Sequence, residues 1–154
     1  MKKYTIHSLE GALHAEKDGD IKMWLYDFLQ NGMTPNISLI DGLEKTQTRT
    51  YLGPVLFSLS KLKRSVGPEA NMRYQVDSVP WQKKISFLKQ KIKNGWKPQP
   101  LITAGNAEEP FLLHDGNHRY EALKQTNAAE YWVIFHFENE NEKENFKQKH
   151  LHNT

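Results

Sequence analysis

The stretch Leu113-His114-Asp115-Gly116-Asn117-His118-Arg119-Tyr120-Glu121-Ala122-Leu123 decides how the rest of the chain is read. Apolar Phe111-Leu112-Leu113 predicts a short strand, Asp115-Gly116 a tight turn, and Tyr120, Ala122 and Leu123 a helix running to about Gln125. The free N–H groups of a helix start attract an anion, and Gly116 carries no side chain to keep one away. His118 and Arg119 fall in the first turn, where a phosphate would arrive, and arginine offers a planar donor fork suited to its oxygens. Two basic groups at a helix N-terminus oppose its dipole unless an anion offsets them, and local conflicts of this kind mark functional places. Each residue also has a plain reading: Asp115 as a helix cap, His118 as a packed histidine, Arg119 as the partner of Glu121 or another carboxylate. The pattern is not a Walker loop, because no Gly-Lys-Ser/Thr comes after the turn.

Working outward, Leu101-Ile102-Thr103 reads as the strand before the motif, joined to Phe111-Leu112-Leu113 by a hairpin-like turn over 105–110. Tyr131 to Phe137 is aromatic and β-branched, the strongest strand signal in the chain. Upstream, Trp81, Ile85, Leu88 and Ile92 recur at spacings of four, three and four, opposite a lysine face. Ser78 and Pro80 suit that helix's start, and Gly95 its end. Val55 to Leu59 predicts a further strand, succeeded by a sharp loop at Arg64-Ser65-Val66-Gly67-Pro68-Glu69. Ile21, Trp24, Leu25, Phe28 and Leu29 form one helical face behind Asp20. Tyr4 to His7 and Ile37 to Ile40 read as short strands in an otherwise irregular N-terminal region. Residues 138–154 form a polar tail, either a solvated helix or a frayed end. The expected fold is one α+β domain: a core over 55–137, an N-terminal elaboration over 1–54, and that tail.

Composition narrows the chemistry. A chain of 154 residues is one domain by length, since domains run to roughly 150 residues. It has no cysteine, which excludes disulfides, thiolate catalysis and Cys-ligated metals. Its longest apolar run, Tyr131-Trp132-Val133-Ile134-Phe135, falls far short of the roughly 20 residues of a membrane span. Lys2 and Lys3 resemble a signal n-region, but Glu10 interrupts the segment after them and no apolar run forms there. The expectation is a soluble, cytoplasmic protein without a membrane partner. Net charge is only +3, yet no acidic residue occurs between Asp77 and Glu108, a stretch carrying Lys83, Lys84, Lys89, Lys91, Lys93 and Lys97. Such a segment is either a solvated lysine face or a patch for a phosphate-bearing partner.

Residues 115–123, Asp-Gly-Asn-His-Arg-Tyr-Glu-Ala-Leu, resemble the signature of the ParB/sulfiredoxin superfamily, which includes ParB N-terminal domains, sulfiredoxins and free-serine kinases. Gly95 with Pro100-Leu101-Ile102 resembles the entry to the strand before that signature, and the resemblance spans about residues 55–137. It implies a small mixed sheet with packed helices, binding ATP or CTP with magnesium. Gly116, Asn117, His118 and Arg119 would then hold the phosphates, with Arg64 beside them. Asp115 would coordinate magnesium or orient His118, and Glu69 is a candidate general base, with Glu108 and Glu109 more remote candidates. The sulfiredoxin cysteine position is Asn117 here, which excludes that chemistry. The short segment after Phe137 does not accommodate a ParB-type helix-turn-helix, so chromosome partitioning is not expected.

The leading expectation is therefore Mg-dependent NTP hydrolysis or phosphotransfer to a small-molecule acceptor, with Asp115, His118 and Glu69 in catalytic roles; whether turnover occurs stays open. One alternative is a nucleic-acid-binding or nuclease-like protein using the helix over 81–97, Trp81 and Trp96 bracketing its lysines. Both tryptophans also read as core anchors. The other alternative is a non-catalytic nucleotide sensor or protein-interaction module. Histidines make no metal case: His114 and His118 do not share a helical face, and His136, His150 and His152 lack zinc-like spacing.

Overall fold

Period-two apolar residues build the sheet, and period-3.6 stripes cover both of its faces. In a computed structural model, residues 3–151 are described, so Lys2 and His152 lie outside the description. The order is α1 (Leu9–Lys17), α2 (Ile21–Asn31), α3 (Ile37–Leu43), β1 (Thr50–Ser58), β2 (Leu62–Lys63), β3 (Val66–Gly67), β4 (Tyr74–Gln75), α4 (Ser78–Lys93), β5 (Leu101–Ala104), β6 (Phe111–Asp115), α5 (Asn117–Gln125), β7 (Glu130–Phe137) and α6 (Glu140–His150). Five strands form one sheet in the order β1-β7-β5-β6-β2, while β3 and β4 make a separate parallel pair. The sheet is mixed: β7 runs parallel to β5 and antiparallel to β1, and β6 runs antiparallel to β5 and parallel to β2. This is an α+β fold with the strand–turn–helix–strand order expected of a ParB/sulfiredoxin-like architecture.

One face of the sheet presents Leu101, Leu113, Val133, Phe135 and Phe137 to α5 and α6. The other presents Ile102 and Ile134 to Trp24, Leu25, Phe28 and Leu29 of α2 and to Ala12 and Ala15 of α1. The N-terminal region is thus the second cover of the sheet. β1 itself begins at Thr50, ahead of the expected start at residue 55.

Two local expectations are corrected. Ile37 to Ile40 is helix, not strand: the Asn36 side chain accepts the Leu39 N–H at 3.2 Å, and Ile40 and Leu43 bury one face. Tyr4 to His7 forms no strand. Its anchors are side chains instead: the Tyr4 hydroxyl donates to Asp18 and Asp20, and the Thr5 carbonyl accepts the Trp24 Nε1–H at 2.7 Å. Asp20 therefore makes no side-chain cap to α2.

The segment after 138 is an anchored helix. Asn139 accepts the Glu142 N–H at 2.9 Å and Glu142 accepts the Glu138 N–H at 2.8 Å, a reciprocal cap at the helix entry. Phe146 is buried against Phe57, Phe111, Phe135 and Phe137, worth about 2 kcal/mol of transfer free energy. No helix among the described residues is long and apolar enough to cross a membrane.

Candidate functional site

The turn before α5 requires glycine: Gly116 has φ 98° and ψ 20°, and a Cβ there would lie 2.8 Å from Leu101 Cδ2 and 2.9 Å from Arg119 Nη2. The motif's side chains then turn inward. Arg119 donates from Nε to the Gln99 carbonyl at 3.1 Å and from Nη2 to the Pro100 carbonyl at 2.8 Å, and reaches Asp115 Oδ2 at 3.5 Å. Its guanidinium lies 5.2 Å from the Phe28 ring centre. Burial works against its charge, and the Asp115 carboxylate works to keep it. The other Asp115 oxygen accepts the Asn36 side-chain N–H at 2.9 Å. Asn117 is buried, its carbonyl oxygen accepting the backbone N–H of Ser65 at 2.7 Å and of Val66 at 3.1 Å. Asp115, Asn117 and Arg119 thus join β6 and α5 to the 65–66 loop, the 99–100 segment and the N-terminal cover.

Arg64 comes close to this assembly and is saturated by carboxylates. It grips Glu69 with two hydrogen bonds of 3.1 and 2.5 Å and pairs through Nε with Glu121 at 3.2 Å. The guanidinium holds Glu69 below the usual carboxylate range, which suits a permanent ion pair and opposes a role as general base. Arg64 also stacks over buried Trp81, 5.0 Å from its ring centre, and His118 packs against the same indole at 4.4 Å. His118 is pushed down to about 4 by burial first and then by Lys84, Arg119 and Arg64, so its ring is neutral at physiological pH. Lys84 donates to the Thr34 hydroxyl at 2.9 Å. The first turn of α5 has no side-chain cap, so its free N–H groups and His118, with Lys84 from α4, are left to a ligand, as is Arg119 Nη1, which has no hydrogen-bond acceptor among the described residues. Glu108 is exposed, and Glu109 lies against Lys61 and His150.

Asp115, the expected magnesium ligand, has both carboxylate oxygens in hydrogen bonds, one from the Asn36 side chain and one from Arg119.

The exposed face of α4 has the opposite character. Val79, Lys83, Phe87 and Lys91 succeed one another at spacings of four along the side away from Trp81, Ile85 and Leu88. Phe87 is 57% exposed, the Lys91 ammonium sits 5.6 Å from its ring centre, and the same ammonium sits 4.1 Å from Trp96. Gly95, at φ 101°, turns the chain so that the Trp96 N–H reaches the Lys91 carbonyl at 3.0 Å and its indole donates to the His7 carbonyl at 2.8 Å. Lys83, Lys91, Lys93 and Lys97 have no carboxylate within ion-pair distance among the described residues. Of the two tryptophans expected to bracket the lysines, Trp81 is core and Trp96 is half-buried, while the exposed aromatic is Phe87, whose signal was its place four residues from Lys83 and from Lys91.

No family model matches the chain, and no curated protein matches it. One solved structure, "Structure of the C2221 form of Pnob8-like ParB-N domain", is similar at 16% identity and a TM-score of 0.38, over 65% of this chain and 36% of that one. The similarity thus spans about a third of the length of that solved chain.

Proposed function

We propose that the chain is a nucleic-acid-binding domain that lays the exposed face of α4 along a single-stranded phosphate backbone, with Phe87 as a stacking platform for a base. The observation that carries this reading is the unpaired Lys83–Phe87–Lys91 stripe, extended by Lys93 and Lys97, on a face without a carboxylate partner among the described residues. Base–aromatic stacking contributes about 1–3 kcal/mol per base, and lysines flanking the ring neutralise the adjoining phosphates. The test is fluorescence anisotropy with a labelled oligonucleotide of about 16 nucleotides at low salt. Saturable binding by the wild type that weakens at least about ten-fold in Phe87→Ala/Lys83→Glu supports the reading. Equal affinity of the two proteins, or no binding by the folded wild type, overturns it.

A second reading is favoured by the uncapped first turn of α5 beside His118 and Lys84: a nucleotide sensor that holds the phosphates of ATP or CTP there without turnover. Turnover is disfavoured because Glu69 and Asp115, the candidate base and metal ligand, are both engaged by arginines. Calorimetric titration with ATP and CTP separates the two readings, since the α4 variants leave a nucleotide site at α5 untouched.

A further inference from the structure

A cleft of about 480 Å³ lies between α3, the β3–β4 segment and β6, and His114 and Arg73 face it from two sides. No acidic side chain lines it. His114 is the outer member of a chain of three side chains. Its Nδ1 lies 3.0 Å from Nε2 of buried His136, and Nδ1 of His136 lies 3.2 Å from Nη1 of Arg49. Arg49 is held in turn by the carbonyls of Leu43 and Gly42 at 2.8 and 3.4 Å.

An arginine is always protonated and can only donate. Nδ1 of His136 therefore accepts, and a neutral imidazole that accepts at Nδ1 carries its proton on Nε2. His136 must donate to Nδ1 of His114, which places the His114 proton on Nε2 as well. Among the described residues Nε2 of His114 has no partner, and it is the ring nitrogen left to face a ligand. Both rings stay neutral: burial lowers each, helped by Arg49 for both and by Arg73 for His114. The Arg49–His136–His114 chain is thus a one-way donor relay ending in a fixed N–H. Arg73, across the cleft, forms no ion pair among the described residues, and its guanidinium lies 5.6 Å from the exposed ring of Tyr74. Two donors, one of them a full charge, converge on a cavity without an anion of its own, and that combination selects an oxyanion.

We propose that this cleft binds the phosphate or carboxylate group of a small ligand, Arg73 neutralising it and His114 donating its Nε2–H, with His136 as the positioning residue. The inference does not rest on the reading of α4.

The test is ring-nitrogen NMR of the full chain labelled with ¹⁵N, titrated with inorganic phosphate, acetate and phenyl phosphate. The expected result is His114 in the Nε2–H tautomer, with a saturable shift of its ring signals by at least one of the three. Arg73→Gln, an exposed substitution, is expected to weaken that titration at least about ten-fold, with Arg73→Lys restoring part of it. His136→Asn, which keeps an acceptor for Arg49 but frees the His114 tautomer, is expected to weaken it several-fold. Saturation by phosphate and phenyl phosphate alone assigns a phosphate ligand, and saturation by acetate alone assigns a carboxylate. An Nδ1–H tautomer at His114, no saturable shift with any probe, or a titration unchanged in Arg73→Gln overturns the proposal.

Discussion

The turn at Asp115–Arg119 and the outer face of α4 are both rich in cationic groups, and they use them in opposite ways. In the turn, Arg119 is bound by Asp115 and two carbonyls, and Arg64 nearby is bound by Glu69 and Glu121. On α4 and just beyond it, Lys83, Lys91, Lys93 and Lys97 meet no carboxylate among the described residues, and an aromatic ring stands exposed between the first two. The same charge therefore does different work according to its partners. A largely buried cation held by a carboxylate and carbonyls ties elements together, whereas an exposed cation without such partners leaves its field for a polyanion.

Arg119 separates the two uses of charge most sharply. If the turn is a structural joint, Arg119→Ala leaves Asp115 without its cationic partner and two carbonyls without a donor, and costs about 3–5 kcal/mol by urea denaturation. A phosphate cradle would instead show near-wild-type stability with a lost ligand. The next largest effect is acid. His136 sits at about 3 in the folded chain against about 6.5 when unfolded, and His118 is also lowered, to about 4. The unfolded chain binds more protons between those values, so stability is full above about pH 6.5 and falls as pH drops. At pH 4 the loss from His136 is at most about 3 kcal/mol, read from melts across pH, and His136→Asn flattens the slope. Asn117→Ala orphans the N–H groups of Ser65 and Val66 and is expected to cost about 2 kcal/mol in urea denaturation. Lys83→Glu is the smallest change in stability, within about 0.5 kcal/mol, yet it lowers oligonucleotide affinity several-fold.

Much of this architecture was legible. The stripes Ile21–Leu29 and Trp81–Ile92 and the β-rich run before residue 138 each carry a long, single-period signal, and each forms the element expected. Ile37 to Ile40 misled because a four-residue apolar segment fits either period; Asn36 decides it through a cap to Leu39. Residues 138–150 read as polar because Phe146 is their one buried apolar side chain, with the His150 ring packed beside it against Phe57 and Phe111. At the site, the strand–turn–helix and its glycine were readable locally. The partners of Arg119 were not, because Gln99 and Pro100 receive it with backbone carbonyls, which no residue type announces. Arg73 and the His114–His136 pair stayed hidden for a related reason. The two histidines lie on β6 and β7, strands separated by β5, and only the sheet order brings their rings to one face.

The most direct test of the central claim is the salt dependence of oligonucleotide affinity for wild type, Lys83→Glu/Lys91→Glu and Arg119→Lys. If α4 is the interface, wild-type affinity falls roughly 20-fold between 50 and 200 mM salt for about three phosphate contacts, and the double variant loses most of that slope. Folded Arg119→Lys keeps the wild-type slope. A slope unchanged in the α4 variant, or lost in folded Arg119→Lys, would contradict the assignment and return the binding role to the turn.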